Sequence, residues 1–399
     1  MMKSLETICS YRNEKASAAS IKAEDIYIST ENMGPNRGGV LRAVSAPSEG
    51  KVSRFHKGDT LVSNIRPYFK KIWNADCNGY CSNDMLVFQP DQRCSADYLY
   101  WLLCDDAFFD YVMATSKGTK MPRGDKSAIM SYAIPSNSEM AQRNITSILN
   151  PIQAKIEANT KLNGYLAELA QTLYNDWFRD FGHWDGRMPS HWESGVLGDY
   201  VTVKRGGSPR PIQEYLSNEG LRWLKIADVS SINGPYILEI KEHIKEEGLR
   251  RTVYLEPGSL VLSNSATPGI PKILSIGTCI HDGWLYFPQS EFTNEWLYCY
   301  FLNVRQELVR MANGSVFQNL KTDIVKNFEV IRPDDETLAS FQKTIAPLFG
   351  LMETRQQESK QLAELRDALL PKLMSGEIDV TRIDLTQLNS HLAERLFQS

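Results

Sequence analysis

No stretch of the chain approaches the roughly 20 consecutive apolar residues that a bilayer crossing needs. The opening Met1-Met2-Lys3-Ser4-Leu5-Glu6 also lacks the apolar core of a secretory leader. A cytoplasmic protein without a membrane partner is expected. Cysteine is sparse, with seven residues in 399 (Cys9, Cys77, Cys81, Cys94, Cys104, Cys279 and Cys299), an odd number unevenly placed. That usage suits reduced thiols better than a disulfide framework. Histidine is scarcer still, and none of the six stands at a ligand spacing from the Cys77/Cys81 pair, so no metal is expected. Phosphate-cradling glycines are missing too. The only Gly-Lys pair, Gly50-Lys51, has Ser45 where a P-loop needs its first glycine and Val52 where it needs a hydroxyl. The only Asn-Pro pair, Asn150-Pro151, continues into Ile152 and lies in a helical pattern, unlike the aromatic loop of an adenine methyltransferase. Nothing in the chain assembles a catalytic constellation, and a non-enzymatic role is expected. Net charge is only −4, so the average does not mark a polyanion partner.

What is present is a duplication. Gly58-Asp59-Thr60-Leu61-Val62-Ser63-Asn64 returns as Gly258-Ser259-Leu260-Val261-Leu262-Ser263-Asn264. Tyr98-Leu99-Tyr100 returns as Trp296-Leu297-Tyr298, Gly118-Thr119 as Gly314-Ser315, and Leu166-Ala167-Glu168-Leu169 as Leu362-Ala363-Glu364-Leu365. The period, near two hundred residues, is far beyond the roughly 20 to 50 of a solenoid. Each copy is therefore a domain plus its own connecting element, and the chain presents two related surfaces.

Each copy reads as a strand-rich region followed by a long helix. Strands are expected at Thr60 to Ser63 and Met85 to Phe88, with partners at Leu260 to Ser263 and Trp284 to Phe287. Helices follow at about Ala96 to Ala114 and Asn294 to Met311. The clearest periodicity comes next. Ile145, Ile152, Asn159, Leu166 and Leu173 fall seven apart, with Ile148, Leu162 and Leu169 between them. Phe341, Leu348, Arg355, Leu362 and Leu369 repeat the pattern, flanked by Ile345, Met352, Leu365 and Leu373. These ten seven-spaced residues are the expected helix-pairing set. Each run would extend roughly 50 Å at 1.5 Å per residue. Both seams are interrupted at the same place, by Asn159 and Arg355, where a polar residue selects one register over others. The two helices are expected to pair, and a two-fold relation between duplicates favours the antiparallel arrangement.

Basic residues recur at corresponding places. Residues 51 to 71 hold six cations against one acid, residues 117 to 126 four against one, and residues 204 to 225 five against two. Two loops of glycine, hydroxyl and basic residues stand out: Ser116 to Lys126, and Asn313 to Lys321. Glycine permits close backbone approach to phosphate, lysine and arginine neutralise it, and arginine, asparagine and glutamine can read base edges. The candidate DNA-binding residues are Arg54, Asn64, Arg66, Tyr68, Lys70, Lys117, Thr119, Lys120, Arg123 and Lys126 in the first copy. In the second they are Lys204, Arg205, Arg210, Asn264, Ser315, Gln318 and Lys321.

Several segments together resemble a known family: Gly118-Thr119-Lys120-Met121-Pro122-Arg123-Gly124-Asp125-Lys126, the helix exit Leu173 to Phe181, the opener Pro189 to Gly198, and the ending Leu369 to Ile378. Over essentially its full length the chain resembles the specificity subunit of a type I restriction-modification enzyme. The resemblance implies an α+β chain with internal pseudo-two-fold duplication, in which two mixed α/β target recognition domains are separated by two long antiparallel coiled-coil helices. The segments are then recognition domain 1 (1–138), conserved-region helix 1 (139–182), recognition domain 2 (183–335), conserved-region helix 2 (336–378) and a C-terminal tail (379–399). Each domain would read one half of a bipartite site in double-stranded DNA. The helices would set half-site spacing and dock modification subunits. Methylation and cleavage would belong to the modification and restriction subunits, which would carry S-adenosylmethionine, ATP and Mg, leaving no cofactor on this chain. Two features depart from the family's pattern: the first domain opens directly at Leu5 without a counterpart of Pro189 to Trp192, and the helix entries are reduced to Ile134-Pro135-Ser136 and Arg332-Pro333-Asp334. The alternatives are a stand-alone DNA-modifying enzyme of unfamiliar type and a coiled-coil adaptor for protein partners.

Overall fold

The computed structural model describes residues 2–40, 45–229, 232, 234–312 and 319–382. Two compact units divide the chain, Met1–Lys155 with Leu362 onward, and Ile156–Gln361. The first long helix, Glu139–Phe178, and the second, Asp335–Ser375, each pass from one unit into the other. The units thus cut both helices in the middle, whereas the sequence-derived segments end at the helix termini. Each unit is a mixed α/β domain carrying one segment of each long helix.

In the first unit, short strands rich in apolar residues build two four-stranded sheets. One runs in the order Cys9–Tyr11, Met85–Pro90, Thr60–Ser63, Ile72–Asn74 and is wholly antiparallel. The other runs Lys15–Ser17, Lys51–Phe55, Gly79–Cys81, Tyr27–Ile28, its last pair parallel. The second unit repeats the plan with five strands in each sheet. Its Leu260–Ser263 strand lies between Trp284–Ser290 and Pro271–Leu274, as Thr60–Ser63 lies between Met85–Pro90 and Ile72–Asn74. All four side chains of Thr60–Ser63 and of Leu260–Ser263 are buried, as expected of central strands.

A two-stranded ribbon closes each domain where the chain enters and leaves it. Met2–Ser4 pairs with Ala133–Pro135, and Glu193–Val196 with Glu329–Arg332. The first domain therefore opens before Leu5, on a strand equivalent to the one after Trp192. The apolar run expected as a single helix near Ala96 to Ala114 is two helices, Ala96–Cys104 and Asp106–Ala114. Asp105 divides them by capping the second, its side chain accepting from the Ala107 amide.

The long helices run antiparallel within each unit. In the second unit, Asn159 is fully buried, donates from Nδ2 to Glu358 Oε2 at 2.7 Å and accepts from Arg355 Nη1 at 3.3 Å. Asn163 donates to the Met352 carbonyl at 3.1 Å. In the first unit, Arg366 donates to Gln153 Oε1 at 2.8 Å. The apolar positions depart from a pure two-helix seam. Ile145 and Phe341 are buried; Ile152, Leu166, Leu173, Leu348, Leu362 and Leu369 are only half-buried, and Leu162, Leu169 and Leu365 are exposed. The cause is a third packing partner. Ala170, Tyr174, Trp177 and Phe178 of the first helix join Phe341, Ile345 and Phe349 of the second in one core with Trp296, Leu297 and Phe301 of the domain. Ile145, Leu149, Leu370, Leu373 and Met374 do the same with Leu99, Trp101 and Leu102 in the other unit. Each helix turns the side it needs for its domain inward, which moves burial off a strict heptad.

The second helix entry is built on Asp334. Its carboxylate accepts from the Thr337 amide at 2.9 Å and the Thr337 hydroxyl at 2.8 Å, and holds the opener through Trp192 Nε1 and His191 Nε2, both at 3.0 Å. The Thr337 bonds lead a set of donors that holds this carboxyl far below the usual carboxylate range. Asp334→Ala removes a helix N-cap and is expected to cost about 1 kcal/mol at neutral pH. Because the folded value is depressed, this stabilisation is complete above about pH 4 and is lost as pH falls further. Denaturant titrations of both proteins should therefore converge toward acid. A difference independent of pH would remove the carboxylate from the account.

Candidate nucleic-acid interface

The central strand of each domain ends in the same device. In the first unit, the amide of Asn64, just past Thr60–Ser63, donates to the Asp84 carbonyl at 2.8 Å, and the Gly124 amide donates to the Asn64 carbonyl at 3.4 Å. Ile65 then forms a bridge with Arg123, and the Arg66 amide donates to the Pro122 carbonyl at 2.9 Å. Lys117 and Arg123 exchange both backbone bonds, at 2.9 and 3.0 Å, and close the loop that carries Gly118, Thr119, Lys120 and Met121 at its exposed tip. Gly118 supplies the left-handed turn, with φ of 92°. Gly124 is required for space: a β-carbon there would lie 2.8 Å from Asn64 Oδ1 and 2.9 Å from Val112 Cγ1.

Charge is placed around this frame. Arg123 Nη1 lies 2.9 Å from Asp84 Oδ1, and Lys117 Nζ is 2.5 Å from Asp125 Oδ2. Asp125 also caps the helix Lys126–Met130 through the amides of Ser127 and Ala128. Its bond from Lys117 and these caps hold its carboxyl below the ordinary range. Arg66 is exposed beside Tyr68 and Phe69, whose rings are 4.6 Å apart and both exposed. A pair of exposed rings beside an exposed guanidinium can stack on bases and lie along a polyanion.

The second unit repeats the frame with other residues. Asn264 donates from its amide to the Gly283 carbonyl at 2.9 Å, its carbonyl accepts from the Leu320 amide at 2.7 Å, and Ser265 bridges Asn319. Ser315 and Gln318 lie outside the described residues. Lys321 is exposed at the start of the helix Thr322–Lys326. Lys204 and Arg205 are exposed at the end of the strand Val201–Arg205, and Arg210 follows. Asp282 gathers this side: its carboxylate accepts from Ser208 Oγ at 2.7 Å and from Arg210 Nη2 at 3.3 Å, and its carbonyl accepts from Arg205 Nε.

The expected contacts are thus sorted. Arg66, Lys117, Thr119, Lys120 and Arg123 are brought to one loop-and-strand-end cluster, with Lys126 at its base over the Tyr11 ring. Arg54 instead lies on the other sheet, over the ring of Tyr80. Lys70 turns to Asp106 at 2.7 Å, a carboxylate it shares with Arg37. Asn264 cannot meet DNA directly. It is 1% exposed, and its Nδ2 donates to the Asp282 carbonyl at 3.1 Å, so its amide serves to pin the strand end. Asn64 is half-buried in the matching place with its Oδ1 covered. Sequence reasoning passed over Asp84 and Asp282. The available signal was an acid just before Met85 and another just before Gly283-Trp284.

Among the described residues, no group of three or more histidine, cysteine or acidic side chains could hold a metal ion, and no helix is long and apolar enough to cross a membrane.

Residues 189–364 match the type I restriction modification DNA specificity domain family. The chain is 25% identical to the type I restriction enzyme MjaIX specificity subunit of Methanocaldococcus jannaschii, over 74% of this chain and 72% of that protein. It is 23% identical to the HindI specificity subunit of Haemophilus influenzae, over 81% of this chain and 87% of that protein. In fold it is similar to the crystal structure of the type I restriction-modification S subunit from M. genitalium, with a TM-score of 0.56 at 16% identity, covering 94% of this chain and 96% of that one.

Proposed function

We propose that this chain, which belongs to the type I restriction enzyme specificity subunits, is the sequence-reading and scaffolding component of such an enzyme. Each unit reads one half of a bipartite double-stranded DNA target. The observation that carries this is the repeated strand-end device, in which Ile65 bridges Arg123 and Ser265 bridges Asn319. One frame, built twice, holds different side chains, which is what two readers of different half-sites require. Phosphate contacts by the lysines fix position, and arginine and amide groups carry base choice. Because phosphate neutralisation releases counterions, affinity should fall steeply with salt.

The long helices set the distance between half-sites and dock modification subunits. Exposed Leu162, Tyr165 and Leu169, spaced three and four residues apart on the first helix, support an apolar docking row. Methyl transfer and cleavage fall to the modification and restriction subunits, which bind S-adenosylmethionine, ATP and Mg. The chain alone should show no turnover on DNA supplied with all three.

Methylome sequencing of cells with and without this gene tests the assignment. A split methylated motif should vanish with the gene, and an unchanged methylome would sink the reading. Arg123→Ala should relax preference by about 1–3 kcal/mol at one or two positions of a single half-site. Equal loss in both halves, read by selection from randomised duplexes, would contradict two independent readers.

A further inference from the structure

We propose that Asp84 and Asp282 are positioning residues that hold arginines away from DNA phosphates and aim them at base edges, an inference that rests on the DNA-reading assignment above. Asp84 immediately precedes the strand that pairs with the central strand of its domain, and Asp282 stands one residue further back, before Gly283. Asp84 gives its carbonyl to the Asn64 amide at 2.8 Å, and Asp282 gives its carbonyl to Asn264 Nδ2 at 3.1 Å. The arginines they hold arrive from unrelated segments: Arg123 from the loop on the C-terminal side in one domain, Arg205 from the end of the strand Val201–Arg205 and Arg210 from the segment after it in the other. The acid is the common element, and the cation is supplied separately each time.

Fold stability is a poor reason for these pairs. Arg123 is 52% exposed and Asp84 34%, and Arg210 is 73% exposed against 40% for Asp282. Ion pairs so open to solvent contribute little. On a surface that meets a polyanion, a carboxylate also repels the ligand. That penalty falls equally on every DNA sequence, so it weakens non-specific and specific binding alike unless the carboxylate returns something at the correct site. A guanidinium has five donors in a rigid fork. The Asp84 contact brings Oδ1 to 2.9 Å from Nη1, and a five-donor fork held at that end has further donors for the O6 and N7 acceptors of guanine. The carboxylate also competes with phosphate for the same guanidinium, so a phosphate contact requires the pair to be broken whereas a base contact does not.

The test uses the full-length chain, a pool of 40-base-pair duplexes randomised across the target, and one fixed duplex lacking any selected motif. In Asp84→Asn, the backbone carbonyl that serves Asn64 is kept. This variant should bind the motif-free duplex about fivefold more tightly, with a steeper salt dependence as Arg123 reaches phosphate. Its preference at one or two positions of one half-site should fall about tenfold, with the other half-site untouched. Asp282→Asn should produce the converse. Asp84→Glu should retain preference, and adding Arg123→Ala to Asp84→Asn should cancel the gain in motif-free binding. A purely structural role predicts weaker binding to every duplex, and that result, or unchanged preference in Asp84→Asn, overturns the proposal while leaving DNA reading intact. A wild-type chain that selects no sequence overturns both.

Discussion

Phe341→Ala should lower the unfolding free energy of the second unit by about 3–5 kcal/mol, the range for removing a buried phenylalanine ring. Phe341 is 1% exposed on the second long helix, with ring centroids 4.8 Å from Phe178, 5.4 Å from Trp177 and 6.3 Å from Tyr174 on the first. Tyr174 and Phe178 in turn touch Trp296 of the domain, at 5.3 and 5.8 Å. The lost ring therefore leaves a void where both helices and the domain meet, and rigid aromatic neighbours close such a void poorly. Denaturant unfolding followed by tryptophan fluorescence reads the effect. Leu351→Ala, on the same helix but 46% exposed, should change the midpoint little. If the two substitutions cost the same, the helices are joined by general apolar contact and not by this aromatic cluster.

A second large effect is expected in the first unit, at Arg12. Its Nε and Nη2 donate to the two oxygens of Asp59, at 2.6 and 3.0 Å, and Asp59 also accepts from the His56 amide at 2.8 Å. Asp59 is 2% exposed and Arg12 13%, so this pair differs in kind from the open pairs at the recognition loop. Taking away the cation leaves a desolvated carboxylate, and Arg12→Met should cost about 3–5 kcal/mol. Asp59 ends the turn at Gly58 that feeds the strand Thr60–Ser63, and that strand presents Asn64 and Ile65 to the basic loop. Arg12→Met should thus also weaken reading of one half-site, through disorder of its frame. The double variant Arg12→Met/Asp59→Leu, which removes both charges, should recover most of the stability. A single-variant cost below about 1 kcal/mol would show that the pair is solvated in solution.

Different elements were legible to different degrees. The strands Thr60–Ser63 and Leu260–Ser263 follow from short apolar runs behind glycine turns. The long helices follow from their period, their antiparallel contact from the two-fold relation between duplicates, and their register from the matched polar interruption at Asn159 and Arg355, which bond each other. The exposure of Leu162, Leu169 and Leu365 was not legible. A heptad reports that a helix has an apolar side, but it does not report how many neighbours share that side. The recognition loop was found by its composition, yet the asparagines beside it could not be assigned. Asn264 reads like a base-contacting amide in sequence and is buried in the fold.

By itself the sequence determined the duplication, the domain-then-helix order of each copy, and the basic loops, because each is written in residues close together along the chain or repeated at a steady interval. Tertiary structure alone decided which arginine each aspartate holds. Asp84 meets Arg123, and Asp282 meets Arg205 and Arg210, across separations that local pattern does not encode. The central strands place those residues together, since a strand that pairs on both sides brings distant segments to its end at hydrogen-bonding distance.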